Sequence, residues 1–349
     1  MISKMILTRP FPRFLFFTGL LLLAAACLSG QPAQDPSAPI TTQAAPPAPG
    51  ITAAPVETHE PVLTESPAAI PTATGTNPAA PTRTVSETGG TVETLPPATP
   101  PFDPASWQEL PIVPEVSPRV REIYQRGLEL GNNPLSFSKI GDCGSTPAWF
   151  LGDFDRGPQY YRLGEFTYLE EVIQAFQGSW DRTSLAAKSG FNASSVLTAL
   201  WADRSQCEAN ETPLACEYRV HRPTFAFIML GTNDVWHPDR FEPQMREIIE
   251  FSIEQGVIPI LSTKADNVEG DGSINATIAR LAYEYEIPLW NFWRAVQHLP
   301  DGGLQEDGAH LTWAGNRFDD PEAMKKAWPV RNLTALQVLD AVWRSASAP

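Results

Sequence analysis

Two residues in the last sixth of the chain have the types and spacing for acid–base chemistry. Asp307 and His310 stand three apart in Asp307-Gly308-Ala309-His310. On one loop, that spacing lets the carboxylate accept a hydrogen bond from the ring Nδ1–H, which fixes the tautomer and leaves Nε2 as a base. A base of this kind needs a nucleophile to act on and donors for the oxyanion that results. Three polar, glycine-containing clusters offer candidates: Gly141-Asp142-Cys143-Gly144-Ser145, Gly190-Phe191-Asn192 and Gly231-Thr232-Asn233-Asp234. The first carries a thiol and a hydroxyl, the second a permissive backbone, the third a side-chain amide.

Each cluster follows a segment that reads as a strand. Leu135–Ile140 precedes the first, Ser184–Lys188 the second, and the continuous apolar run Thr224–Leu230 the third. A run apolar at every position fits a central parallel strand covered on both faces. Val257–Ser262 and Pro288–Phe292 read as further strands. Between them, helices are expected over Val120–Leu130 (behind Ser117 and Pro118), Phe166–Phe176, Ser195–Arg204, Phe241–Glu254, Ile274–Tyr285 and Leu333–Trp343. Strands alternating with helices predict an α/β fold, a three-layer α/β/α sandwich with a central parallel sheet. Ligands of such sheets bind beyond the C-terminal strand ends, where all three clusters fall.

The rest of the chain has a different composition. Of 349 residues 35 are proline, unevenly spread, and all 10 tryptophans lie from Trp107 onward. The start is an export signal by pattern: Lys4, Arg9 and Arg13, then an apolar run from Phe14 to Ala26, too short for a membrane span. It ends Leu22-Leu23-Ala24-Ala25-Ala26-Cys27, which resembles a bacterial lipoprotein box. That resemblance implies cleavage before Cys27, lipidation of its thiol, and a mature chain anchored to a membrane outside the cytoplasm. Residues 28–103 are rich in Pro, Ala and Thr, and cannot bury enough apolar surface to offset their ordering entropy. They are expected to form a disordered tether, followed by one domain over 104–349. With 25 Lys+Arg against 40 Asp+Glu, the net charge is -15 and no basic cluster is present, which argues against nucleic-acid binding.

Taken in order, the clusters resemble the sequence blocks of the SGNH (GDSL-type) hydrolase superfamily. Gly141-Asp142-Cys143-Gly144-Ser145 is similar to Gly-Asp-Ser-x-Ser/Thr except at the nucleophile, Gly190 to the second block, Gly231-Thr232-Asn233-Asp234 to Gly-x-Asn-Asp, and Asp307-Gly308-Ala309-His310 to Asp-x-x-His. The resemblance covers about residues 135–315. It implies ester hydrolysis through a covalent acyl-enzyme without a cofactor or metal. It also implies a nucleophile at Cys143, a base at His310 oriented by Asp307, and an oxyanion hole from the backbone at Cys143, Gly190 and the Asn233 amide. Because Cys143 replaces serine, three readings stand: a thiol nucleophile, a shift of that role to Ser145, or an inert site that keeps a binding cleft. Acyl transfer is a further variant. The substrate would be a small-molecule or polysaccharide ester.

Cysteine arithmetic bears on the first reading. Cys207 and Cys216 flank the N-terminal edge expected of the sheet, whereas Cys143 lies at the C-terminal edge, about a strand length or 17–20 Å away. A disulfide needs Cα atoms within about 7 Å. The pairing expected is therefore Cys207–Cys216, leaving Cys143 as a thiol. Ser145, Trp236 and His237 are expected near substrate. Lys264, Asp266 and Asn267 read as a solvated loop, Trp149, Trp290, Trp293 and Trp313 as lying near the same edge, and His221 and His298 as structural.

Overall fold

The computed structural model describes residues 103–348. The export signal, Cys27 and almost all of the expected tether lie outside the described residues. Within them the chain begins on a 3-10 turn, Pro104–Glu109, and Trp107 is already buried, its carbonyl accepting from Asn291 Nδ2 at 3.0 Å.

Four strands form one parallel sheet: β1 (Asn133–Gly141), β2 (Pro223–Met229), β3 (Ile258–Ser262) and β4 (Leu289–Trp290), side by side in that order. Every residue of β2 and β3 is buried, as a strand covered on both faces requires. The main helices are α1 (Arg119–Glu129), α2 (Glu170–Ala175), α3 (Pro213–His221), α4 (Pro238–Glu254), α5 (Ser273–Glu284), α6 (Phe292–Val296) and α7 (Ala327–Ser347). α7 packs on α1, α2 and α6, while α4 packs on α5 and the short helix Ala193–Val196. The result is the α/β/α sandwich expected from the sequence. Its core is strongly aromatic: Phe137, Phe150, Phe176, Phe225, Phe227, Trp180 and Trp290 are all fully buried and pack ring against ring.

Four expected elements differ. Ser184–Lys188 is not a strand. It meets β1 through a single parallel bridge, Gly141 to Ala187. Two of its backbone donors go to side chains, the Leu185 N–H to the Glu217 carboxylate at 2.8 Å and the Ala186 N–H to Ser184 Oγ at 3.1 Å, and the Ala187 N–H turns back to Ser184 O, so only the Lys188 N–H reaches β1, at Gly141 O. Ser195–Arg204 is not one helix either, but the short helix Ala193–Val196 and a 3-10 turn Ala199–Trp201, broken by an extended Thr198 whose hydroxyl bonds back to Ser194 O at 2.7 Å. Phe166–Phe176 kinks at Phe166 and is α-helical only over α2. The last strand stops at Trp290, because Asn291 caps α6 by accepting the Arg294 N–H.

Cys207 and Cys216 are joined by a disulfide, with Cα atoms 5.3 Å apart. With Ala202 and Leu185 they form a small apolar cluster apart from the main core. Cys143 is outside that bond. No helix among the described residues is long and apolar enough to cross a membrane.

Candidate active site

The three glycine clusters and the Asp-x-x-His loop meet at the C-terminal edge of the sheet, around a pocket of about 450 Å³. Cys143, Gly190, Asn233 and His310 all contribute to its wall.

The turn carrying Cys143 follows from the end of β1. Gly141 pairs with Met229, and a Cβ there would lie 2.2 Å from Ser145 Oγ and 2.5 Å from Met229 O, so only glycine lets the chain fold back this tightly. Asp142 then caps the single 3-10 turn Cys143–Ser145, its Oδ1 accepting the Gly144 N–H at 2.9 Å. The Cys143 carbonyl is held by the Thr146 N–H at 3.1 Å and the Thr146 hydroxyl at 2.8 Å. The cysteine thus starts a turn fixed on both sides.

The second and third clusters are tied to each other. Gly190 takes φ +80°, a conformation that other residues adopt only with strain, and its missing Cβ faces open space. Asn233 Nδ2 donates to Phe191 O at 3.0 Å, which orients the amide and leaves that nitrogen one further N–H. Buried Asp234 accepts the Ala193 N–H at 2.9 Å with one oxygen and the Gly231 N–H at 3.0 Å with the other. Burial pushes its carboxyl up to about 6 against the pull of these two amides.

On the last loop, Asp307 Oδ2 lies 2.6 Å from His310 Nδ1, and Oδ1 accepts the N–H groups of Ala309 at 3.0 Å and His310 at 2.9 Å. Burial alone would raise the Asp307 carboxyl. The two amides and the ring outweigh it and hold the group below the ordinary carboxylate range. Asp307 is therefore ionised at neutral pH. The loop is braced by Gln305 N–H to His310 O at 2.7 Å and by Thr312, which bonds Gly303 O and the Ala327 N–H.

The remaining expected residues divide. Trp236 lines the pocket and is 58% exposed at its rim. Ser145 does not line it: the residue is fully buried, and its Oγ fills the space over Gly141 without a hydrogen-bond partner. His237 is exposed, outside the pocket wall, at the start of α4. Trp290 is core, Trp293 packs edge-on to Trp107, Trp149 lies against Trp328, and Trp313 is exposed. Lys264 and Asp266 correct the reading of a solvated loop. Both are buried in the pocket wall, with Lys264 Nζ donating to Asp266 Oδ1 at 2.6 Å and Glu269 Oε2 at 2.5 Å, and Thr232 Oγ1 to Asp266 Oδ2 at 2.7 Å.

Sequence reasoning missed Arg331 on α7. This side chain is 93% buried in effect, with 7% of the residue exposed, and it lines the pocket beside Cys143. Nη1 donates to Gly144 O at 2.7 Å, and the guanidinium lies 4.6 Å from the Phe150 ring centroid. The available signal was a lone arginine in the otherwise apolar start of a helix, Ala327-Trp328-Pro329-Val330-Arg331.

No family model matches the chain, and no curated protein matches it. Solved structures resemble it at low identity. An acetyl xylan esterase from Geobacillus stearothermophilus is 15% identical, over 59% of this chain and 94% of that one, with a TM-score of 0.36. TesA is 18% identical over 59% and 99%, TM-score 0.38. A GDSL-like lipase from Bacteroides thetaiotaomicron is 14% identical over 63% and 98%, TM-score 0.38. Each is a likeness and no more.

Proposed function

We propose that this domain is an SGNH-type hydrolase that cleaves esters through a thioester on Cys143. The observation that carries the reading is the shared pocket wall: a thiol, an imidazole held by a carboxylate, a glycine backbone and an oriented amide, brought together from four separate segments. In the proposed sequence Cys143 passes its thiol proton to His310, the thiolate sulfur attacks the ester carbonyl carbon to form the C–S bond, and the carbonyl π electron pair moves onto oxygen. The backbone N–H of Cys143, the N–H of Gly190 and the second N–H of Asn233 receive that oxyanion. As the intermediate collapses, the C–O bond breaks and His310 gives its proton to the departing alkoxide. His310 then takes a proton from water, whose oxygen attacks the thioester. The acid leaves and the thiolate is regenerated. Export and lipid anchoring at Cys27 are proposed from the sequence pattern alone. An acylated polysaccharide is proposed as substrate because an exposed tryptophan, Trp236, stands at the rim, where an indole can stack on a sugar ring.

The test is trapping with p-nitrophenyl acetate followed by mass spectrometry of the intact protein and its peptides. An acetyl adduct on Cys143, absent from Cys143→Ala, is the expected result. Absence of both adduct and turnover would leave the pocket as a binding cleft. The oxyanion assignment has its own consequence. Asn233→Ala should lower kcat by about a hundredfold or more with little change in KM, since such a donor acts mainly on the charge formed in the transition state. Steady-state kinetics on an activated ester measures this, and equal losses in kcat and in ground-state binding would reassign Asn233.

A further inference from the structure

Arg331 is a buried cation without a matching anion in bonding reach. Among the described residues no carboxylate lies within ion-pair distance of it. Its bonded partners are neutral: Gly144 O at 2.7 Å and Met229 Sδ at 3.1 Å. The Phe150 ring lies below it at 4.6 Å, and the Trp328 and Phe292 rings at 5.6 and 5.8 Å. Its Nε is buried and has no acceptor. Taking a charge out of water on these terms is costly unless another charge answers it. Two ionisable groups, Asp142 and Cys143, belong to the turn whose Gly144 carbonyl it holds, and both line the same pocket as Arg331.

We propose that Arg331 is a positioning residue that keeps Cys143 as a thiolate before substrate arrives. A serine hydroxyl at this position would gain nothing from a resident cation, because it does not ionise in the working range. A thiol does, and a neighbouring guanidinium favours its charged form. The arginine thus accompanies the departure from the Gly-Asp-Ser pattern. The other charges around the thiol pull in both directions. Asp142, whose carboxyl burial raises while Arg331 and the Gly144 amide lower it, opposes the thiolate wherever it is ionised. His310, on Asp307, favours the thiolate when protonated. Asp266 raises the Asp142 carboxyl and Asp142 in turn raises that of Asp234, while across the pocket Lys264 is already answered by Asp266 and Glu269. Arg331 is the cation left over for the Cys143 turn, and its guanidinium, lowered to about 10 by burial, stays charged at neutral pH.

This inference deepens the hydrolase reading, yet it is tested without turnover. The rate of iodoacetamide alkylation of Cys143 is followed by peptide mass spectrometry from pH 4 to 10 in the full-length chain. The wild type is expected to inflect below the ~8.5 of an ordinary thiol. Arg331→Met should move that inflection up by about one pH unit or more, Arg331→Lys by less, and Asp142→Asn should move it down. A wild-type inflection at or above that of an ordinary thiol overturns the proposal, as does an unchanged inflection in folded Arg331→Met. Should Arg331→Met not fold, the wild-type value and Asp142→Asn decide. An early inflection without an acetyl adduct would reject the hydrolase and retain the thiolate.

Discussion

Cys143→Ala should reduce ester turnover by about four orders of magnitude, and His310→Ala by nearly as much. The two losses should not add. In the proposed mechanism the sulfur needs the imidazole to manage the leaving group's proton, so the double variant should be about as slow as either single one. What survives is the contribution of the Gly190 and Asn233 donors and of the pocket itself, which are untouched on their own loops. The measurement is kcat/KM on an activated ester for the two single variants and the double. Retention of more than a tenth of the activity in Cys143→Ala would sink the thioester. Ser145 is poorly placed to inherit the role, being fully buried over Gly141 and away from the pocket wall.

The largest expected effect on stability lies elsewhere, at Glu217. This residue is fully buried on α3, accepts from Ser138 Oγ at 2.5 Å and from the Leu185 N–H at 2.8 Å, and is ion-paired with Arg182. Three donors on two segments, β1 and the stretch 182–185, therefore converge on one carboxylate. Glu217→Ala leaves the Arg182 charge and two neutral donors without an acceptor, at a cost of about 3–5 kcal/mol. Urea unfolding at neutral pH measures it. The folded fraction should keep wild-type kcat, because none of these groups lines the pocket. A loss below about 1 kcal/mol would mean that water replaces the carboxylate.

These effects separate what was legible in the sequence from what was not. The sheet was legible because β2 and β3 are apolar at nearly every position, with Thr224 and Ser262 the exceptions, a pattern that fits strands covered on both faces. The pocket residues Cys143, Gly190, Asn233 and His310 were legible because topology sends every strand end to one rim. Ser184–Lys188 was misread because most of its backbone donors are taken by Glu217 and Ser184, and the glutamate lies more than two dozen residues along the chain. Lys264, Asp266 and Asn267 read as a wet loop; Asn267 is exposed, but composition does not reveal that Lys264 pairs with Asp266 and Glu269 away from water. Arg331 was invisible for the opposite reason, as its neighbours in space are rings and a carbonyl rather than charges.

Asp234 ties the Gly190 segment to the Gly231 turn with the two oxygens of one carboxylate. The consequence is mechanical. A backbone group and an amide that arrive from distant parts of the chain behave as a single jaw, so neither can be retuned alone. A designer who shifts one of them to admit a bulkier acyl group will displace the other as well, and selectivity will have to be sought on the opposite wall.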